Sequence, residues 1–252
     1  MTTFFKKHKK QFLGALATCA LVAALMLANF FSSFIVPSQN NTETVSSNAF
    51  DLYLISLSKS QVEKESKSHA SDYQQIGAGG FVWEKDGYYH IISSGYLNKA
   101  DAELVQSSIK LNQNLDSEIL TISFDGYSIN GNFSGDEARV IVNLLSSCIN
   151  FYTSIYDVSI SLDTGVYNEI SAKLAVNTCH NNFATTLANF NTLYPKPHPE
   201  QLSPVYEMAT EGYQIGEKLC AAEKVTPLQN YSSILKYRYL EIMNLYYNFC
   251  NK

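Results

Sequence analysis

No charged residue occurs from Phe12 to Val36, and an apolar run of that length spans a hydrocarbon core of about 30 Å as a helix. Residues 37–49, which include PSQNNTETVSSN, are polar and without periodicity, the pattern of a flexible tether. Phe50 to Leu57 (FDLYLISL) has the length and β-branched, aromatic content of a strand. Lys59 to Ile76 places Val62, Ser66, Ala70, Tyr73 and Ile76 at helical steps and stops at Gly77-Ala78-Gly79-Gly80. Phe81 to Glu84 and Tyr88 to Ser94 flank Lys85-Asp86-Gly87, a hairpin signal. Asn98 caps a helix over Lys99 to Leu111 with Ala102, Val105 and Ile109 as its stripe and Leu104 and Leu111 alongside, and Ser117 to Phe124 alternates as a last strand. The order β, α, β, β, α, β predicts one antiparallel sheet with two helices on one face over residues 50–125.

From Ser134 the period becomes helical. Ser134-Gly135-Asp136-Glu137 is a capping box, followed by Val140, Ile141, Leu144, Leu145, Cys148, Ile149, Tyr152, Ile155 and Tyr156. A second run over residues 164–191 carries Val166, Ile170, Leu174, Cys179, Phe183, Leu187 and Phe190 as its apolar stripe. Pro195, Pro197 and Pro199 form a connector. Helices are predicted over Ser203 to Ala222 and Leu228 to Phe249, so residues 134–252 read as an all-helical bundle. The expected fold class is α+β, with a cytoplasmic basic tail at 1–11, a transmembrane anchor at 12–36, a linker at 37–49, a ferredoxin-like βαββαβ domain and the bundle.

Charge sets the orientation. Lys6, Lys7, Lys9 and Lys10 precede the apolar run, and the next basic residue is Lys59; the positive-inside rule then keeps the N-terminus in the cytoplasm and the bulk outside. A cleaved signal peptide shares the basic start, but its apolar run is shorter, and Asn29 to Pro37 offers no small-x-small cleavage pattern. Of 18 basic residues four lie before the run, whereas all 23 acidic ones follow it, so the outer part carries 14 against 23, a net −9. That balance excludes nucleic acid as a partner, because such affinity comes from cations on phosphates. Cys148, Cys179, Cys220 and Cys250 allow two disulfides in three pairings, or four buried thiols, and their spacing excludes a C-x-x-C motif.

Catalytic and cofactor chemistry finds no foothold in the sequence. His8, His69, His90, His180 and His198 include no pair at metal-ligand spacing, and there is no nucleophile elbow or P-loop. Gly77 to Gly80 precedes a strand, so it is a turn and not a phosphate cradle. Cys179 and His180 are adjacent on a helix and point about 100° apart. Asn40, Asn132 and Asn230 match N-x-Ser/Thr, as is frequent by chance in a chain so rich in Asn and Ser. The chain reads as non-catalytic, with no cofactor and no metal.

Tyr53-Leu54-Ile55-Ser56-Leu57-Ser58 stands where a SPOR domain has V-Q-x-G-x-F, and Tyr89-His90-Ile91-Ile92-Ser93-Ser94-Gly95-Tyr96 where it has Y-R-V-x-x-G-x-F, followed by Ala100-Asp101-Ala102 in place of paired alanines. The segment from Asp51 to Phe124 thus resembles the SPOR domain, the peptidoglycan-binding module of bacterial cell-division and sporulation proteins, with Leu54 and Ser56 departing from the first motif. The resemblance implies that denuded glycan strands lie on the sheet face away from the helices. Strict alternation puts Leu52, Leu54 and Ser56, with Tyr88, His90, Ile92 and Ser94, on that face, and Trp83, Tyr88 and His90 are candidates to stack on or hydrogen-bond a sugar. The competing reading is that these aromatics are core and that the helical half covers the face, because strands apolar on both faces are usually covered on both. Two functions follow: an envelope protein associating with peptidoglycan or the division and sporulation machinery, or a membrane-tethered scaffold that binds another protein through its helical half, including the Tyr- and Phe-rich last helix.

Overall fold

The computed structural model describes residues 42–251. The basic tail, the apolar run at 12–36 and the first residues of the linker lie outside the described residues. Among the described residues no helix is long and apolar enough to cross a membrane.

The chain forms β1 (Thr42–Ser46), β2 (Phe50–Ser60), α1 (Glu63–Gln75), β3 (Phe81–Lys85), β4 (Tyr88–Tyr96), α2 (Lys99–Gln113), β5 (Glu118–Phe124), β6 (Ser128–Phe133), α3 (Gly135–Asp163), α4 (Glu169–Leu193), a 3₁₀ turn (Glu200–Leu202), α5 (Ser203–Cys220) and α6 (Tyr231–Cys250). Strands β3, β4, β2 and β5 lie side by side in that order, all antiparallel, as the βαββαβ reading requires. Local chemistry fixes the element ends. Asp86 and Gly87 both adopt positive φ in the hairpin turn. Asn98 accepts from the Ala100 N–H, Ser134 and Glu137 complete their capping box, and Asn168 and Asn230 accept from the amides of Ser171 and Ser233.

Helix α2 covers one face of the sheet. Ile55 and Tyr96 meet Ala102 and Ile109 there, flanked by Tyr53, Leu57 and Ile119. The other face belongs to a much larger core. Leu52, Leu54, Phe81, Trp83, Ile92, Ile122 and Phe124 are buried in one cluster with residues of α3, α4, α5 and α6. The expected division into a sheet domain and a helical bundle therefore gives way to one continuous core.

Three further expectations are corrected. Residues 42–46 of the linker are not a free tether: β1 pairs with β6, setting Val45 beside Ile129. Val45, Ile129 and Phe133 are buried, too few apolar positions to mark either strand in a sequence of Thr, Ser and Asn. Helix α4 starts at Glu169 rather than 164, and its buried stripe is Ala172, Val176, Phe183, Leu187 and Phe190. Val166, Ile170 and Leu174 follow a consistent four-residue step, yet they lie outside that stripe and are 63%, 81% and 68% exposed. On α2, Leu104 and Leu111 point to solvent, and on α1 the buried residues are Ser66, Ala70 and Gln74, with Val62 and Ile76 exposed. Of the two readings left open for the cysteines, the structure has the thiols: Cys148, Cys179, Cys220 and Cys250 are free, with burial pushing those of Cys148 and Cys250 up to about 12.

Because both faces of the sheet are covered, residues 50–125 expressed alone expose Leu52, Leu54, Trp83, Ile92 and Phe124 together. The expected outcome is a fragment that aggregates or lacks fixed tertiary structure, whereas residues 42–252 give a sharp near-ultraviolet circular dichroism spectrum. A monomeric fragment with cooperative unfolding would contradict the shared core.

Candidate functional site

The sheet face away from α1 and α2 is where the resemblance places a glycan, and α6 lies on it. Tyr237 packs edge-on against Phe81 at 5.3 Å, and Tyr247 is tilted against Trp83 at 5.6 Å. Tyr246 and Tyr247 reach Phe124 at 6.1 and 5.4 Å. The middle of the face is closed most tightly at Gly95. Its N–H donates to the Tyr239 hydroxyl (3.2 Å) while its carbonyl accepts from the Tyr152 hydroxyl of α3 (3.0 Å). A Cβ at this position would lie 2.8 Å from Leu54 Cδ2 and 3.2 Å from Leu240 Cδ2, so glycine is what lets the helix approach. Hydroxyls address the loop beside it as well: Ser233 donates to the Ala78 carbonyl at 2.6 Å, and the Lys236 ammonium donates to the Gly77 carbonyl at 2.9 Å.

Leu54 and Ile92 are fully buried under this cover, Trp83, Ser56 and His90 are almost fully buried, and so is Ser94. Tyr88 alone of the seven candidate residues is exposed. Ser94 leaves the group altogether. The β2–β4 register pairs Ile55 with Ser94 and Ser56 with Ile92, so Ser93 is an extra residue on β4 and the alternation reverses there. Ser94 therefore points to the α2 side, where its hydroxyl meets the Tyr96 hydroxyl at 2.9 Å. Alternation counted from sequence cannot register such a bulge.

The remaining polar candidates gather at the end of the sheet nearest the β3–β4 turn. Ser56 Oγ lies 3.2 Å from His90 Nδ1, and Glu118 Oε1 lies 3.3 Å from the same nitrogen. Lys59 bridges to Glu118 at 3.2 Å and stands 5.4 Å from the centre of the Tyr88 ring. Glu118 is the member that sequence reading missed; it is placed by its register opposite Ser56. A serine, a histidine and a glutamate in contact invite comparison with a hydrolytic relay. A relay needs the acid on one ring nitrogen and the hydroxyl on the other, whereas here both address Nδ1. Burial holds the His90 pKa below its ordinary value against the opposing pull of Glu118, so the ring is neutral near pH 7 and the set is a structural latch between β2, β4 and β5.

Beside this latch an open cleft of about 730 Å³ separates β3 and β5. Trp83 and Tyr247 contribute to its wall, with Lys85, Ser123, Asn244 and Asn248 around them. Lys85 spans it, its ammonium donating to the Thr121 carbonyl at 2.6 Å. A second cleft, of about 560 Å³, lies between β6, α5 and the end of α6 and includes Tyr127, Glu207, Glu211 and Asn248. Among the described residues no group of His, Cys, Asp and Glu is arranged to hold a metal ion.

No family model matches this chain, and no curated protein matches it. Among solved structures it is similar to the solution structure of the peptidoglycan-binding domain of the B. subtilis cell wall lytic enzyme CwlC. That match is 24% identical, covers 29% of this chain and 90% of that one, and has a TM-score of 0.25.

Two outcomes follow from the geometry. Tyr239→Phe removes the acceptor of the Gly95 N–H inside a dry core, an expected loss of about 1–3 kcal/mol in urea unfolding; an unchanged midpoint would show that the clamp contributes nothing. The second concerns pH. His90 and His180 both have pKa values lowered by burial, so the unfolded chain binds more protons than the folded one between the ordinary histidine value and the lowered ones. Stability is complete above about pH 6.5 and falls as the pH drops through that window. Urea midpoints measured from pH 7.5 to 5.0 should show this decline, and His90→Gln should make it shallower.

Proposed function

We propose that this chain is a non-catalytic scaffold of a bacterial envelope, tethered to the cytoplasmic membrane by residues 12–36 with its bulk outside, and acting through protein partners. The observation that carries this reading is the closure of the sheet face. A platform for a flat sugar chain must be open, yet Leu54, Trp83, Ile92 and the Gly95 backbone are engaged by α3 and α6. The βαββαβ unit contributes a rigid support to which the helices are fused. The resemblance of residues 51–124 to the SPOR domain supports partners among the division or sporulation machinery.

A second reading keeps peptidoglycan as the partner and moves it off the flat face. Its specific support is the cleft between β3 and β5, where Tyr247, backed by the buried Trp83, adjoins the amide, ammonium and hydroxyl groups of Asn244, Asn248, Lys85 and Ser123. Aromatic walls with convergent polar groups are suited to saccharides.

Co-sedimentation of residues 37–252 with amidase-stripped and untreated sacculi separates the two. The scaffold reading expects the folded protein to stay in the supernatant with both. Selective pelleting with stripped sacculi, reduced by Asn244→Ala and Lys85→Ala, would replace it with the cleft-bound glycan reading.

A further inference from the structure

Six of the twelve large hydrophobic side chains that are exposed among the described residues, Ile76, Val166, Ile170, Leu174, Val225 and Leu228, belong to the segments where α1, α3 and α5 end and α4 and α6 begin. Polar contacts tie their segments together. Lys236 Nζ lies 2.6 Å from Asp163 Oδ2 and 2.9 Å from the Gly77 carbonyl, which joins the end of α3 to the end of α1. Thr226 donates to Gln74 Oε1 at 2.6 Å, which brings in the α5–α6 loop with Val225 and Leu228. Lys173 of α4 stands 5.2 Å from the centre of the Tyr231 ring at the start of α6. Isolated exposed leucines are ordinary, whereas a gathered apolar surface marks an interaction site.

Two features of this tip select what covers it. The first is its place relative to the tether. Residue 42 pairs with Phe133, just before α3 begins, and at that same end Asn251 Oδ1 accepts from the Asp125 N–H, whereas the tip lies at the other end of α3. A helix of 29 residues is about 43 Å long, and residues 37–41 span at most about 18 Å. An anchor at 12–36 would join the body at the end opposite the tip. The second is charge. The described chain is acidic, but at the tip Asp163 is paired with Lys236 and Glu169 with Lys173. Two copies meet there without the repulsion that the rest of their surfaces carries.

We infer that the tip is a self-association surface, with Val166 of the α3–α4 loop and Ile170 and Leu174 of α4 in one copy laid against the same residues of a second copy across a two-fold axis perpendicular to the membrane. Copies tethered side by side satisfy such an isologous contact without rearrangement. The inference rests on the scaffold reading only for the position of the tether, and it is read by an assay independent of sacculus binding.

The test is sedimentation equilibrium of the full chain in density-matched detergent, comparing the native chain with Ile170→Glu/Leu174→Glu. Both positions are solvent-exposed in the single copy, and a glutamate in the first turn of α4 suits the helix N-terminus, so the variant folds; its thermal melt checks this. The expected result is a monomer–dimer equilibrium in the native chain, weakened at least about tenfold in the variant and unchanged by Leu104→Glu/Leu111→Glu on α2. A native chain that stays monomeric, or a variant that dimerises equally well through its apolar N-terminal run, overturns the proposal. A monomeric native chain whose tip is protected from hydrogen exchange only when phosphatidylglycerol vesicles are added overturns it in favour of lipid.

Discussion

The contact between α6 and the sheet is the constraint on which the rest of the structure depends. A four-stranded sheet with two helices on one face leaves the other face to be buried, and this chain buries it with its own last helix. The aromatic row of α6 supplies area, while Tyr239 and Tyr152 supply direction by engaging the two backbone groups of a single glycine. Burying peptide groups without partners is costly, so these hydroxyls also fix the register of the helix on the strand. Once α6 is placed, α3 follows through Tyr152, Tyr156 and their contacts with Tyr239, and α4 and α5 enclose the remaining side of the bundle.

The same packing shapes the chemistry of the sheet. A serine, a histidine and a carboxylate within hydrogen-bond distance are inert here because both partners share one ring nitrogen and burial keeps the ring neutral. Polar groups that sequence reading offers to a ligand are thus consumed in joining strands. Solvent reaches the sheet mainly at its rim, where β3 and β5 are held apart and Lys85 spans the gap.

The fold was largely legible in the sequence because its elements carry strong local signals. The Asp-Gly turn, the capping box at Ser134 and the Asn98 cap each satisfy backbone groups within a few residues, so their chemistry can be read without knowing the rest. What was not legible depends on distant partners. Strands β1 and β6 exist only because each pairs with the other across some 80 residues, and neither has an apolar alternation of its own. The bulge at Ser93 moves Ser94 to the opposite face through a pairing offset that no single strand encodes. Val166, Ile170 and Leu174 keep a helical period and still face solvent, because period reports which residues share a side and not which side is covered. For the candidate face, sequence identified the correct strands and left open whether helices cover it; burial of Leu54, Trp83 and Ile92 decides that point.

The β1–β6 pairing has a mechanical consequence. A pull exerted on the chain at residue 42 meets this five-residue strand before any other described element. The load divides between β6, which leads into the capped start of α3, and the covalent chain from Ser46 into β2, the strand that pairs with both β4 and β5. Detaching β1 would also withdraw Val45 from the main core, where it is buried with Ile129 and Phe133. The short ribbon therefore couples a pull at residue 42 both to the sheet and to the start of α3.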